Sequence, residues 1–67
     1  NMMNSTEVYW QAGFKAGQAT RNGDASLARM QREWFSRAKR LESIPDAVTA
    51  QEMYNAGYAE AQPQHLR

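Results

Sequence analysis

The chain has 67 residues, eight basic and seven acidic side chains, a formal charge of +1 and no cysteine. A chain of this length forms one domain at most and buries a small core, and without cysteine it has neither disulfides nor thiolate metal sites. The near-neutral charge does not by itself indicate a nucleic-acid-binding protein. Because so small a core needs support, we expect a homodimer or a tight partner protein.

Hydropathy along the chain argues against contact with a membrane. No run approaches the ~18–20 apolar residues of a membrane span, and the N-terminal residues lack the charged and apolar regions of a secretory signal. The lack of cysteine fits a reducing compartment. The sequence therefore predicts a cytoplasmic protein.

The first predicted helix covers residues 6–20. Asn4 or Ser5 is placed to cap it, and Glu7 favours the positive end of the helix dipole. The break Asn22-Gly23-Asp24 follows, since glycine permits positive φ and aspartate caps a following helix. A second helix should begin directly after this break.

The second predicted helix covers residues 25–42 and has two contrasting sides. Its apolar stripe recurs at three- and four-residue steps, which places the stripe on one side of a helix; it consists of Leu27, Met30, Trp34, Ala38 and Leu41. The opposite side is basic and polar, with Arg29, Arg32, Ser36, Lys39 and Arg40. We expect the stripe to be buried, with Trp34 in the core and Phe35 at its margin.

The third predicted helix covers residues 49–61. Pro45 disfavours helical geometry at the residue before it and so closes the second helix. Thr49-Ala50-Gln51-Glu52 fits a capping box, with glutamate three residues after threonine. Asp46 is an alternative start, and Pro63 ends the helix.

These segments predict an all-α fold. It is a small bundle of three short helices (about 6–20, 25–42 and 49–61), stabilised by homodimerisation. No segment has the alternating pattern of a β-strand. The whole chain, 1–67, forms a single domain in this interpretation, with residues 1–4 and 62–67 flexible.

Helices one and three share an internal echo. Tyr9-Trp10-Gln11-Ala12-Gly13-Phe14 aligns with Met53-Tyr54-Asn55-Ala56-Gly57-Tyr58. Glycine within a helix costs ~1 kcal/mol relative to alanine, so each glycine is expected to allow close approach of backbones. We expect both helices to offer glycine-containing, aromatic-edged faces to the stripe of helix two, whether the echo reflects duplication or chance.

The two glycine segments also resemble a known family. Gly13-Phe14-Lys15-Ala16-Gly17 and the segment from Tyr54 to Ala61 are similar to the Gly-aromatic elements of the ribosome modulation factor and its small phage and plasmid relatives. The family's Cys-Pro element and strongly basic character are missing here, and a long second helix stands in the gap. The resemblance implies a helical architecture, with ribosome binding as an alternative function.

A second resemblance concerns size and composition. A short chain with alanine- and arginine-rich helices looks like the early-region proteins of temperate phages. Such proteins often bind and inactivate a host protein, such as a regulator or a motor ATPase. This resemblance implies a modulator of a host protein.

No set of residues indicates catalysis, a metal site or a cofactor. His65 is the sole histidine and follows Pro63 in the C-terminal tail, where nothing holds a base in place. The carboxylates are scattered, and Glu33 is spaced to pair with Arg29 or Arg37 on its own helix. We therefore expect a protein that is not an enzyme.

The candidate binding residues fall into two groups. Trp10, Tyr54 and Tyr58 are predicted to contact a partner, because the chain has more aromatics than so small a core needs. Arg29, Arg32, Lys39 and Arg40 form a basic face that contacts an acidic protein or phosphates, or is simply solvated. The sequence predicts a protein-binding module; the alternative is a nucleic-acid- or ribosome-associated factor that uses the basic face.

Overall fold

The computed structural model describes residues 5–62 and contains three α-helices in that range. They are α1 (Ser5–Arg21), α2 (Ala25–Arg40) and α3 (Ile44–Ala61). The helix α1 packs against both of the others, and most extensively against α3, whereas α2 and α3 touch each other little. The prediction of a small all-α bundle is confirmed, and α1 is its central element.

The break between α1 and α2 forms as the sequence predicts. Gly23 has φ of 78°, a left-handed conformation that glycine adopts without strain. The Asp24 side chain then caps α2 by accepting a hydrogen bond from the backbone N–H of Leu27 at 3.1 Å. The tight reversal lays α2 back along α1.

The start of α3 differs from the prediction. The helix begins at Ile44, capped by Ser43, whose hydroxyl accepts from the Asp46 N–H at 3.4 Å. Pro45 lies in the first turn, where its missing N–H costs nothing and its fixed φ suits the helix. Pro45 therefore lies at the beginning of α3, and the predicted start of this helix at residue 49 is wrong.

Glycines bring the backbones of α1 and α3 into direct contact. A Cβ added at Gly13 would collide with the backbone carbonyl of Tyr54, and one added at Gly57 would collide with that of Trp10. Further along, a Cβ at Gly17 would lie 2.8 Å from that of Ala61. The expected gain from the two helical glycines, close backbone approach, is confirmed.

The contact between α1 and α3 is pseudo-symmetric. Trp10 and Gly13 correspond to Tyr54 and Gly57 in the echo, and each glycine meets the aromatic residue of the other helix. The helices run in the same direction, since the Arg21 side chain near the end of α1 donates to the carbonyl at the end of α3 (2.9 Å). The glycine faces therefore pack on each other. The prediction that they pack on α2 is wrong.

The core is small and is filled mainly by rings and alanines. Phe35 of α2 stacks on Tyr54 of α3 with ring centroids 4.1 Å apart, and meets the Tyr9 ring of α1 edge-on at 5.7 Å. Three alanines complete the cluster: Ala12, Ala16 and Ala50. One ring from each helix thus joins the three helices.

The predicted orientation of α2 is wrong. Phe35, expected at the margin, is 4% exposed, whereas Trp34 is 39% and Met30 58% exposed. Since neighbouring helical residues point about 100° apart, α2 is turned by about one residue from the prediction. The cause is the space beside Tyr9 and Tyr54, which accepts the Phe35 ring.

Candidate protein-binding groove

The apolar side chains that α2 turns outward form one strip along the helix. We call this strip the apolar flank, and it consists of Leu27, Met30, Trp34 and Leu41. All four are exposed, and Leu41 at the end of the helix is 88% exposed. An unburied apolar strip of this length on so small a protein is a candidate interaction surface.

A groove runs between the apolar flank and α1. It has a volume of about 350 Å³, with Met30, Gln31 and Trp34 on the α2 side. The α1 side is lined by Val8, Gln11, Ala12 and Lys15. The lining combines apolar side chains with two amide groups and one ammonium group, which is the usual composition of a binding cleft.

The wall of the groove at Trp34 is supported from behind. The ring of Tyr9 lies 6.2 Å from that of Trp34, at an interplanar angle of 47°. Tyr9 is itself held by Phe35 and by a hydrogen bond of 2.6 Å from its hydroxyl to Glu42 Oε2. Trp34 is therefore partly exposed and still backed by the core.

The hydrogen bond between Tyr9 and Glu42 also affects proton binding. It raises the pKa of Tyr9 to about 12, and burial and the nearby carboxylate charge act in the same direction. The bond joins the start of α1 to the connection between α2 and α3. It fixes the position of α1 beside α2, on which the shape of the groove depends.

Most of the basic side of α2 faces away from the groove, and Arg37 borders the apolar flank. We call the exposed guanidinium groups of this side the basic flank, and they belong to Arg29, Arg32, Arg37 and Arg40. The predicted member Lys39 is half-buried: it donates to Gln51 Oε1 at 2.6 Å and lies 5.3 Å from the centre of the Phe35 ring. Lys39 thus joins α2 to α3 and is not freely available.

The three aromatic candidates lie away from the groove. Tyr54 is buried in the core, and burial raises its pKa, so the prediction that it contacts a partner is wrong. Trp10 and Tyr58 are half-buried, and Trp10 stacks on Phe14 at 5.2 Å. Tyr54 was misjudged because the sequence does not reveal that Phe35 needs a stacking partner.

The α1 side of the groove was missed from the sequence. Val8, Gln11, Ala12 and Lys15 follow the i, i+3, i+4, i+7 spacing of one helix face. Two of these side chains are polar, so the face has no strong apolar signal. The spacing alone would have placed them together.

Segments that carry the resemblance to the ribosome modulation factor have a packing role here. Gly13, Gly17 and Gly57 are buried in the contact between α1 and α3. Their backbone contacts explain why glycine stands at these positions. Ribosome binding stays a prediction.

The described residues give no sign of a membrane span or a metal site. None of the helices within residues 5–62 has the length and hydropathy to cross a bilayer. In the same range, no three His, Cys, Asp or Glu side chains are grouped to hold a metal ion; His65 lies outside the described residues. Comparisons with known protein families, curated proteins and solved structures find no match.

Proposed function

We propose that this chain is a small, non-enzymatic protein-binding module that docks the groove and the apolar flank onto another protein. One observation carries the proposal. Met30 and Trp34 stand exposed over a groove that Val8 and Ala12 line from α1. Partner side chains placed there would cover apolar surface that the fold leaves in water.

The chemistry of the groove supports this function. Large exposed apolar patches on small proteins commonly mark interaction sites, and tryptophan and methionine are enriched at the centres of interfaces. Trp34 is also held in place by Tyr9, so it loses little freedom on binding. A partner helix that inserts one or two apolar side chains fits a groove of about 350 Å³.

The biological setting is proposed from the size and composition of the chain. We place it with the phage- or mobile-element-type modulators that bind and inhibit a host protein, such as a regulator or a motor ATPase. We propose the cytoplasm as its place of action, in keeping with the lack of cysteine. A module of this kind acts by occupying a surface and needs no cofactor.

Affinity capture with matched variants tests the proposal. The immobilised chain is exposed to bacterial lysate, and bound proteins are identified by mass spectrometry. Met30→Lys should abolish capture of a specific protein, because an unpaired ammonium would be buried at the interface. Ala56→Lys adds the same charge at an exposed position of α3 and should capture that protein as the unaltered chain does.

Two results would contradict the proposal. One is the capture of no specific protein by the unaltered chain. The other is equal capture by both lysine variants, since the groove would then have no part in binding. Circular dichroism must show the same helix content in all three proteins.

The basic flank supports a second candidate, a nucleic-acid- or ribosome-associated factor. The helix α2 carries five basic side chains and one acidic one, and four of its arginines are exposed. Phosphate binding would weaken steeply as salt rises. Replacing Arg29, Arg32, Arg37 and Arg40 by glutamine should abolish RNA binding, whereas Met30→Lys should preserve it. Absent or salt-insensitive binding would eliminate this candidate.

A further inference from the structure

We propose that, when no partner protein is bound, a second copy of the chain covers the apolar flank through antiparallel packing of α2 on α2. The inference rests on the proposed function, because it concerns the regulation of the same site. Self-association and partner binding would compete for one surface. The free protein would then be a dimer that hides its own binding groove.

The size of the core explains why a cover is needed. Among the described residues, no large side chain is less than 2% exposed, so the core of one copy is thin. A standard interface covers roughly 800 Å² on each partner, about one sixth of the 4848 Å² of this chain. The flank and the groove together extend along most of α2, so a second helix could lie along this whole side.

The spacing of the flank fits the contact line of two helices. The contact line consists of the apolar flank with Arg37 added: Leu27, Met30, Trp34, Arg37 and Leu41. Their steps of three, four, three and four residues are the repeat of helices that pack side by side. A two-fold axis between positions 35 and 36 places Met30 opposite the second copy's Leu41. It places Trp34 opposite the second copy's Arg37, whose guanidinium suits an indole face.

Charge along the edge of the flank favours antiparallel packing. Glu33 would lie beside the second copy's Arg37, which pairs opposite charges twice in a two-fold dimer. Parallel packing would instead place Arg37 of one copy against Arg37 of the other and would align the two helix dipoles. Within residues 5–62, neither Glu33 nor Arg37 has an ion pair, so both are free to pair between copies.

The helix α1 would take part in the same interface. Val8 and Ala12 line the groove beside Trp34, and the second copy's α2 would lie over them. The helices α1 and α2 of two copies would then form a four-helix bundle, an arrangement that two helical hairpins commonly adopt. Both α3 helices would stay outside it, each held to its own α1 by the glycine contact.

Sedimentation equilibrium of the purified chain tests the dimer. Across about 1 µM to 1 mM, we expect a transition from a 7.6 kDa monomer to a species of twice that mass. Met30→Lys should raise the dissociation constant at least about tenfold, because its charge would face the second copy's Leu41. Ala56→Lys, on exposed α3 surface, should leave the constant unchanged.

Cysteine cross-linking tests the direction of packing, since the natural chain has no cysteine. Met30→Cys and Leu41→Cys are prepared separately and then oxidised alone and as a mixture. Positions 30 and 41 are 11 residues apart, which is about 16 Å along a helix. Antiparallel packing therefore predicts a mixed disulfide between the two variants and little linking of either with itself. Parallel packing predicts the reverse.

The two proposals fail separately. A chain that stays monomeric to about 1 mM, or self-linked variants without the mixed disulfide, overturns the antiparallel dimer. Those measurements use the purified chain alone, so they do not depend on any host protein. Conversely, a dimer with the mixed disulfide that captures nothing from lysate supports this inference and contradicts the proposed function.

Discussion

The two faces of α1 are packed in opposite ways. Towards α3, glycines bring backbone against backbone, and Gly13 and Gly57 leave no space for a methyl group. Towards α2, α1 packs on one buried ring of that helix, Phe35, and a groove of about 350 Å³ stays open between the two helices. The first contact is complete within one chain, whereas the second leaves apolar side chains in water.

This difference separates the residues that stabilise the fold from those that we propose bind a partner. In the contact between α1 and α3 the glycines leave no room for a methyl group, so they serve the fold. The contact between α1 and α2 keeps Met30 and Trp34 exposed, so substitutions there should affect partners more than folding. Three predictions, in order of decreasing effect, test this division.

Glycine substitution between α1 and α3 should have a large effect, comparable to the loss of a buried ring. Gly13→Ala places a methyl group against the Tyr54 backbone carbonyl, which cannot move aside as a side chain would. We expect the free energy of unfolding to fall by about 3 kcal/mol or more, despite the ~1 kcal/mol that alanine gains in a helix. Urea denaturation followed by circular dichroism measures the loss.

Gly23→Ala is the matched control for this substitution. Gly23 has nothing within 4 Å of an added Cβ, and only its positive φ opposes alanine, at a cost of about 1–2 kcal/mol. Equal losses at both positions would show that α1 and α3 are not in backbone contact.

Neighbouring aromatics on α2 should differ in their effect on stability. Phe35→Ala removes a ring that is 4% exposed and stacked on Tyr54, and should cost about 3–5 kcal/mol. Trp34→Ala removes a ring that is 39% exposed, and should cost about 1 kcal/mol. Thermal melting distinguishes the two variants; the opposite order would mean that α2 buries the apolar stripe first predicted.

The Tyr9 hydroxyl should give a smaller effect that depends on pH. Its pKa is about 12 in the folded chain, against the ordinary tyrosine value of 10.0, so the unfolded chain loses this proton first. Stability from this group is therefore complete below pH 10 and is lost as the pH rises towards 12. With allowance for solvent screening at the edge of the core, we expect a loss of about 1 kcal/mol.

Chemical denaturation across this pH range measures the effect of Tyr9. Tyr9→Phe should flatten the decline, because no proton is then released. Tyr58→Phe, at a half-buried position, should leave the decline in place. A decline that both variants share would assign it to another group, such as the buried Tyr54 with its raised pKa, and not to Tyr9.

Local features of the fold were predictable from the sequence because they depend on neighbouring residues. The turn at Gly23 and the cap at Asp24 follow from the backbone freedom of glycine and the short carboxylate of aspartate. The close approach at Gly13 and Gly57 followed from the cost of glycine in a helix. At Pro45, two local signals competed, and the cap at Ser43 took precedence over the capping box at Thr49.

The orientation of α2 was not predictable in the same way. Counting apolar residues favoured the side of α2 that contains Trp34, because more large apolar residues lie there than on the side that contains Phe35. The structure buries Phe35, since the alanine-lined faces of α1 and α3 leave room for one ring next to Tyr9 and Tyr54. The α1 side of the groove gave no apolar signal either, because two of its four residues, Gln11 and Lys15, are polar.

The pseudo-symmetric glycine contact has a consequence for evolution. Trp10 and Gly13 are repeated as Tyr54 and Gly57, at a separation of 44 residues, and neither glycine tolerates a side chain. Selection on folding should keep this doubled aromatic-x-x-Gly pattern in distant descendants, while the apolar flank diverges as binding partners change. The pattern and its spacing therefore offer a signature for tracing the lineage after overall sequence similarity has faded.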